Sequence, residues 1–251
     1  MRIAGYNIPM MASLLIWAVA WEVIGRAGVS FILPPLSAVL VKMVEIVPQA
    51  NFLIALGITA RCFLWGVGLA IVIGVPLGVL MGRSVILDRL VLPWVNMFIS
   101  APLSALVPVL MVLFGFGEET VIITTFLFAV WIIILNARAG VMQISPSLVE
   151  MARSFGATGW QAFSSIYVWA ALPEILAGVR IGVIRGVKGV IVGQLLVSVV
   201  GFGKLFEIYS SNFLMLHFWA LLLVLFFFAF LFAEGLAWAE RKVEYYAANR
   251  A

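Results

Sequence analysis

Cysteine and histidine are nearly absent from this 251-residue chain: Cys62 and His217 are each the one residue of their kind. A single cysteine excludes an internal disulfide and any multi-cysteine metal site, and a single histidine speaks against a histidine-ligated metal. Charge is scarce too. Asp, Glu, Lys and Arg make up 10% of the residues, against about 25% in an ordinary soluble domain. A P-loop is missing, since Gly201-Phe202-Gly203-Lys204 lacks both the spacing and the hydroxyl that cradle a nucleotide phosphate. Neither a Gly-x-Ser-x-Gly elbow nor a His-Glu-x-x-His helix occurs. What remains is apolar, 65% of the chain. A soluble fold cannot hide so much, because its surface needs polar side chains. The apolar runs are too long for barrel strands of ~10 residues and suit helices. The composition therefore predicts an all-α polytopic membrane protein. Its net charge of +4 fits the asymmetry of membrane loops, not binding to nucleic acid.

Six apolar runs predict about six transmembrane helices, near 8–25, 62–81, 91–114, 121–137, 174–200 and 213–236. In the first, Ala18-Val19-Ala20 resembles a signal-peptidase site. The run continues through Trp21, Val23 and Ile24, which suits a retained helix better. Leu33-Pro34-Pro35 marks a turn, after which Leu36, Val39, Leu40, Met43, Val44 and Val47 recur at helical spacing. Arg61 interrupts the stretch 52–81 and is expected at an interface. Pro93, Pro102 and Pro108 predict a bent or broken third span, which membranes tolerate only where protein neighbours satisfy the freed backbone groups. With the N-terminus inside, Arg2, Arg83, Arg89, Arg138, Arg153, Arg180, Arg241, Lys242 and Arg250 fall on the inner side. Arg26, Lys42, Arg61 and Lys204 fall on the outer side. That bias places both termini in the cytoplasm. The chain divides into 1–50 (first helix and external amphipathic segment), a core 51–240 and a tail 241–251, with a long polar loop at 138–172.

That loop is built for short helices, unlike a Gly/Ser linker. Ser145-Pro146 is a helix-start signal, Ser147 and Glu150 have capping-box spacing, and Gly156 is placed to end the helix. Trp160, Phe163 and Ile166 begin another apolar face, and Leu172-Pro173 closes the loop.

At this point the sequence resembles the EAA-loop permeases of binding-protein-dependent ABC importers, of the nitrate/sulfonate/taurine type. The resemblance rests on Glu150, Ala152, Gly156 and Ala170-Ala171-Leu172-Pro173. Leu33-Pro34-Pro35, Gly74-Val75-Pro76-Leu77-Gly78, Phe114-Gly115-Phe116-Gly117-Glu118 and Gly178-Val179-Arg180-Ile181-Gly182 support it in order along the chain. Met151 departs from the second position of Glu-Ala-Ala, Trp169 stands where the family usually has proline, and Gln194 stands where many members have glutamate. The resemblance implies a type I ABC importer permease fold without a cofactor of its own. It also implies a homodimer, two separate ATPase subunits and an extracytoplasmic binding protein. In that scheme Glu150, Ala152, Arg153 and Gly156 belong to a coupling helix that docks on the ATPase. Two bland readings stay open: Glu150 caps its own helix, and Arg153 is an ordinary positive-inside charge.

Arg185 and Lys188 lie inside an apolar stretch, where a cation is costly and points to function. Either they line the translocation pathway with Gln194 and attract an anion, or they snorkel to headgroups or pair with Glu174 or Glu234. Two other classes compete. A multi-pass membrane enzyme would need more than His217, Glu22 and Glu234. An ion-coupled secondary transporter would show an internal repeat, and none is visible.

Overall fold

The computed structural model describes the backbone of residues 2–3, 6–7, 10–28 and 30–248. It describes the side chains of residues 12–28, 30–159, 161–162, 165–232 and 234–235. Two short strands, β1 (Arg2–Ile3) and β2 (Tyr6–Asn7), pair antiparallel. Helices follow: α1 (Met10–Arg26), α2 (Leu36–Ile46), α3 (Ala50–Arg83), α4 (Val85–Ser100), α5 (Val107–Phe114) and α6 (Glu118–Met142). After them come α7 (Pro146–Ser154), α8 (Gly159–Ala162), α9 (Val168–Val197), α10 (Gly201–Ser211) and α11 (Met215–Ala248).

Among the described residues three helices are long and apolar enough to cross a membrane, α3, α6 and residues 215–232 of α11. Two bent pairs, α4 with α5 and α9 with α10, raise the number to five. The expected first span is α1, whose 17 residues reach only about 25 Å. The third expected span is not straight: its two halves meet at 96°. Pro102 explains the break, since it has no N–H to continue the helix and drives Ala101 to extended backbone at ψ 145°. A 3-10 turn, Leu103–Leu106, fills the corner. Pro108 sits in the first turn of α5, where a missing N–H costs nothing. Arg61 does not interrupt α3, which continues as one 34-residue helix.

The core is a three-helix seam of α3, α6 and α9. Helix α6 runs parallel to α3, with Gly66 against Thr125 and Gly78 against Ala137. It runs antiparallel to α9, with Gly140 against Glu174 and Gly193 against Thr124. Small residues let these backbones close up. At Gly78 a Cβ would stand 2.4 Å from the Ile134 carbonyl oxygen, so no larger residue fits without parting the helices. The buried hydroxyls of Thr124 and Thr125 bond their own helix, to the Thr120 and Val121 carbonyls at 2.7 Å each. A second cluster joins α2, the start of α3, α10 and α11 through Val39, Phe52, Phe202 and Leu221. Helix α1 is tied on by Glu22, which accepts from the Ser37 N–H and Oγ at 2.8 Å, and by Trp21 packed edge-on to Trp219.

These directions define two ends. The ends of α3 and α6 gather with α7 and the starts of α4 and α9. The starts of α3 and α6 gather with α10. At the α10 end Arg61 Nε donates to Glu118 at 2.9 Å.

Candidate functional site

Helix α7 is the element that the sequence singles out, and its ends form for local reasons. Ser145 stands at the N-cap with Pro146 in the first turn. The expected capping box does not form. Ser147 lies inside the helix, and its hydroxyl meets that of Ser145 at 2.7 Å instead of capping a backbone N–H. At the other end Gly156 N–H donates to the Arg153 carbonyl and Ala157 N–H to the Ala152 carbonyl, each at 2.9 Å. This paired closure needs a left-handed residue, and Gly156 supplies it with φ +79°. Both ends of the polar stretch 138–172 are taken up by long helices, because α6 runs to Met142 and α9 begins at Val168. A five-residue π-helical turn, Phe163–Tyr167, leads into α9. The side chains of Trp160 and Phe163 lie outside the described residues.

The four residues expected at the coupling surface do not share one role. Glu150 and Arg153 are exposed, and among the described residues neither side chain has a partner. Both line a cleft of about 590 Å³ together with Arg83, Val149 and Tyr167. The Arg83 guanidinium lies over the Tyr167 ring, 5.2 Å from its centre. Ala152 turns inward at 7% exposure. It lines a hollow with Phe155, Gln161 and Ala162, so its small size serves a close approach inside the chain. Gly156 is the turn itself. Sequence reasoning missed the apolar part of this surface: Leu148, Met151 and Phe155, the last 86% exposed. Their i, i+3, i+7 spacing was the available signal.

A bidentate ion pair braces the same end. Asp88, in the first turn of α4, receives both Nε and Nη2 of Arg138 on α6, the latter at 2.7 Å. Both side chains are mostly buried, at 17% and 19% exposure. The pair fixes the start of the broken helix to the last turns of α6, directly before α7.

Helix α9 carries the three residues expected on the pathway, and they do not lie on one face. Each residue turns the helix by about 100°, so Lys188 lies about 60° from Arg185 and Gln194 about 180° from it. Arg185 is half-buried and Lys188 exposed. Among the described residues neither pairs with a carboxylate, Glu174 and Glu234 included. Gln194 is 1% exposed at the junction of α3, α9 and α10. Its Oε1 accepts from Phe202 N–H at 3.3 Å and faces Thr59 Oγ1 at 3.0 Å, while its Nε2 has no partner among the described residues.

Residues 74–245 match the family described as binding-protein-dependent transport system inner membrane component. The chain is 29% identical over 202 residues to the glycine betaine/proline betaine transport system permease protein ProW of Escherichia coli, covering 79% of this chain and 54% of that protein. It is 28% identical over 176 residues to the taurine transport system permease protein TauC of the same organism, covering 68% and 64%. It is also 28% identical over 202 residues to a probable ABC transporter permease protein of Brucella melitensis, covering 80% and 81%. The chain thus spans between half and two thirds of the first two relatives. In three dimensions it is similar to a chain of the MetNI methionine ABC transporter in inward-facing conformations. The TM-score is 0.60 at 23% identity, over 78% of this chain and 94% of that one. That likeness is one of fold.

Proposed function

Because the chain belongs to the binding-protein-dependent transport system inner membrane components, we propose that it is the permease subunit of a bacterial ABC importer, moving a small anionic solute inward by alternating access. It works in the inner membrane as a homodimer with both termini in the cytoplasm. Two separate ATPase subunits drive it, and an extracytoplasmic binding protein delivers the solute. Residues 51–240 form the permease core, with 1–50 and 241–251 as flanking segments.

The observation that carries this reading is the exposed surface of α7. Leu148, Met151 and Phe155 form an exposed apolar stripe on one side, and on the opposite side Glu150 and Arg153 offer charges with no side-chain partner among the described residues. A nine-residue helix with such a face, braced between two long helices, suits insertion into a cleft on a partner. Closure of two ATPases then moves two such helices together and rocks the spans as rigid bodies. Arg185 and Lys188 on α9 attract the anion along the route. Gln194 serves that route from within the packed junction of α9 and α10.

Two substitutions test the docking role. Phe155→Ala leaves the backbone unstrained and removes the protruding anchor, so affinity for the ATPase falls about tenfold or more, as for a hot-spot side chain. Gly156→Leu forces a branched side chain into a left-handed turn and uncouples ATP hydrolysis from import, or prevents assembly. Normal import and normal ATPase affinity in both variants would remove α7 from the mechanism.

A further inference from the structure

The broken helix carries a polar seam that neither the coupling surface nor the cations of α9 explain. Within the apolar segment 91–114, Asn96, Ser100 and Ser104 are all exposed. Asn96 and Ser100 are four residues apart on α4 and share a face. Ser104 follows in the corner turn. Among the described residues none of the three side chains has a hydrogen-bond partner. Asn96 and Ser100 lie about 12 and 18 Å along the helix from Asp88, within the span of a hydrocarbon core about 30 Å thick. The backbone at the corner is open as well. Pro102 has no N–H to give the Phe98 carbonyl, and among the described residues the N–H groups of Leu103 and Ser104 make no backbone hydrogen bond.

Lipid cannot satisfy this surface. Irregular backbone at membrane depth persists only where protein buries it or water reaches it. The chain itself does not bury it, since Ser100, Pro102, Ser104 and Ala105 are exposed. The apolar residues around it, such as Trp94 at 59% and Val112 at 85% exposure, are what a lipid-facing wall offers. The polar seam is what a wetted one offers. Helix α5, which continues from the corner, packs on α6 and α9 and brings the break up to the helix that carries Arg185 and Lys188.

We infer that Asn96, Ser100 and Ser104, with the open backbone of the corner, form a neutral hydrogen-bonding wall of the solute route. The inference rests on the permease reading. A small solute bearing carboxylate or sulfonate oxygens exchanges its water for the amide and hydroxyl donors of the seam and for the free N–H groups of Leu103 and Ser104. Neutral donors suit passage, because they replace hydration without adding charge that would hold an anion in place. The 96° corner presents them at the level where the helix cannot satisfy its own backbone.

The test uses Asn96→Cys, Ser100→Cys and Ser104→Cys in the assembled complex in vesicles, with Val112→Cys as the lipid-facing control. Native Cys62 is buried and gives a low background. The probe is 2-sulfonatoethyl methanethiosulfonate, an anionic reagent confined to water, whose sulfenyl sulfur the thiolate attacks to form a mixed disulfide with release of methanesulfinate; it is applied from either side with and without ATP. All three positions are expected to react at least about tenfold faster than position 112, because the thiolate does not form in hydrocarbon. ATP is expected to change the side from which they are reached. No modification at any of the three overturns the wall. Spontaneous disulfides between copies without modification by the reagent also overturn it, and assign the seam to a dry contact between copies. ATP hydrolysis by the associated ATPase is read in the same preparation. Hydrolysis without modification removes the wall and leaves the permease reading standing. Modification in a chain that recruits no ATPase keeps the wall and removes that reading.

Discussion

Gln194 joins three helices through one amide, and the amide is not fully satisfied. Thr59 Oγ1 lies 3.0 Å from Gln194 Oε1 and 2.8 Å from the Ala55 carbonyl. Its single proton serves only one of them at a time. Nε2 is buried without a partner among the described residues. Just above, a Cβ on Gly203 would stand 1.9 Å from the Gln194 carbonyl oxygen, so the turn from α9 into α10 is pressed onto the Gln194 backbone. Three outcomes follow from this geometry. Gln194→Leu strands the buried N–H of Phe202 and costs about 1–3 kcal/mol. Thr59→Val costs less, because its loss leaves no buried donor behind. Gly203→Ala overpacks the junction and costs about 1–3 kcal/mol or more. Thermal unfolding of the purified permease in detergent orders the three. A midpoint for Gly203→Ala equal to that of the parent would mean that the junction yields freely.

At the scale of elements, the proposed coupling through α7 would pass to the rest of the bundle by way of the brace between α4 and α6. Asp88 and Arg138 are far apart in sequence and close in space, and their pairing ties the broken helix to the helix that ends just before α7. Asp88→Asn leaves a guanidinium mostly buried without its partner. The cost lies between that of an exposed pair and a buried one, about 1–3 kcal/mol. The physiological consequence is slack: α7 shifts, but α4 no longer follows, so solute moved per ATP falls while hydrolysis continues. The double exchange Asp88→Arg with Arg138→Asp recovers part of both stability and coupling. No recovery in a double-mutant cycle would show that the two residues act separately. This pair also marks where sequence reasoning stops. The break at Pro102, the turn at Gly156 and the start of α7 at Pro146 are legible, because each follows from the backbone of one or two residues. The apolar runs mark the long helices for the same kind of reason. Which charge meets Arg138 depends on how α4 packs on α6, and no local pattern carries that. The faces of α9 are a similar case. Glycines at 178, 182, 186, 189 and 193 announce a contact side, but not that Gln194 faces α3 and α10 while Arg185 points elsewhere.

On the scale of the whole molecule, a single copy exposes Lys188 and half-exposes Arg185. A two-fold assembly around α9 would place two cations from each copy, four in all, about one axis. The surrounding low-dielectric wall strengthens their pull on an anion and focuses it toward the opening. On the proposed reading the cations serve arrival, whereas the neutral seam of the broken helix serves passage. If that division is right, the two sets of substitutions fail differently. Arg185→Ala and Lys188→Ala slow capture of an anionic solute, each by about tenfold at low ionic strength, and the deficit shrinks as salt screens the field. Ser100→Ala and Ser104→Ala slow transport by an amount that salt leaves alone, because a hydrogen bond to a neutral donor carries no long-range field. Initial import rates in vesicles loaded with ATP, measured across a salt series, separate the two behaviours. Import unaltered by both cation variants at every salt concentration would take Arg185 and Lys188 off the route and return them to the headgroups.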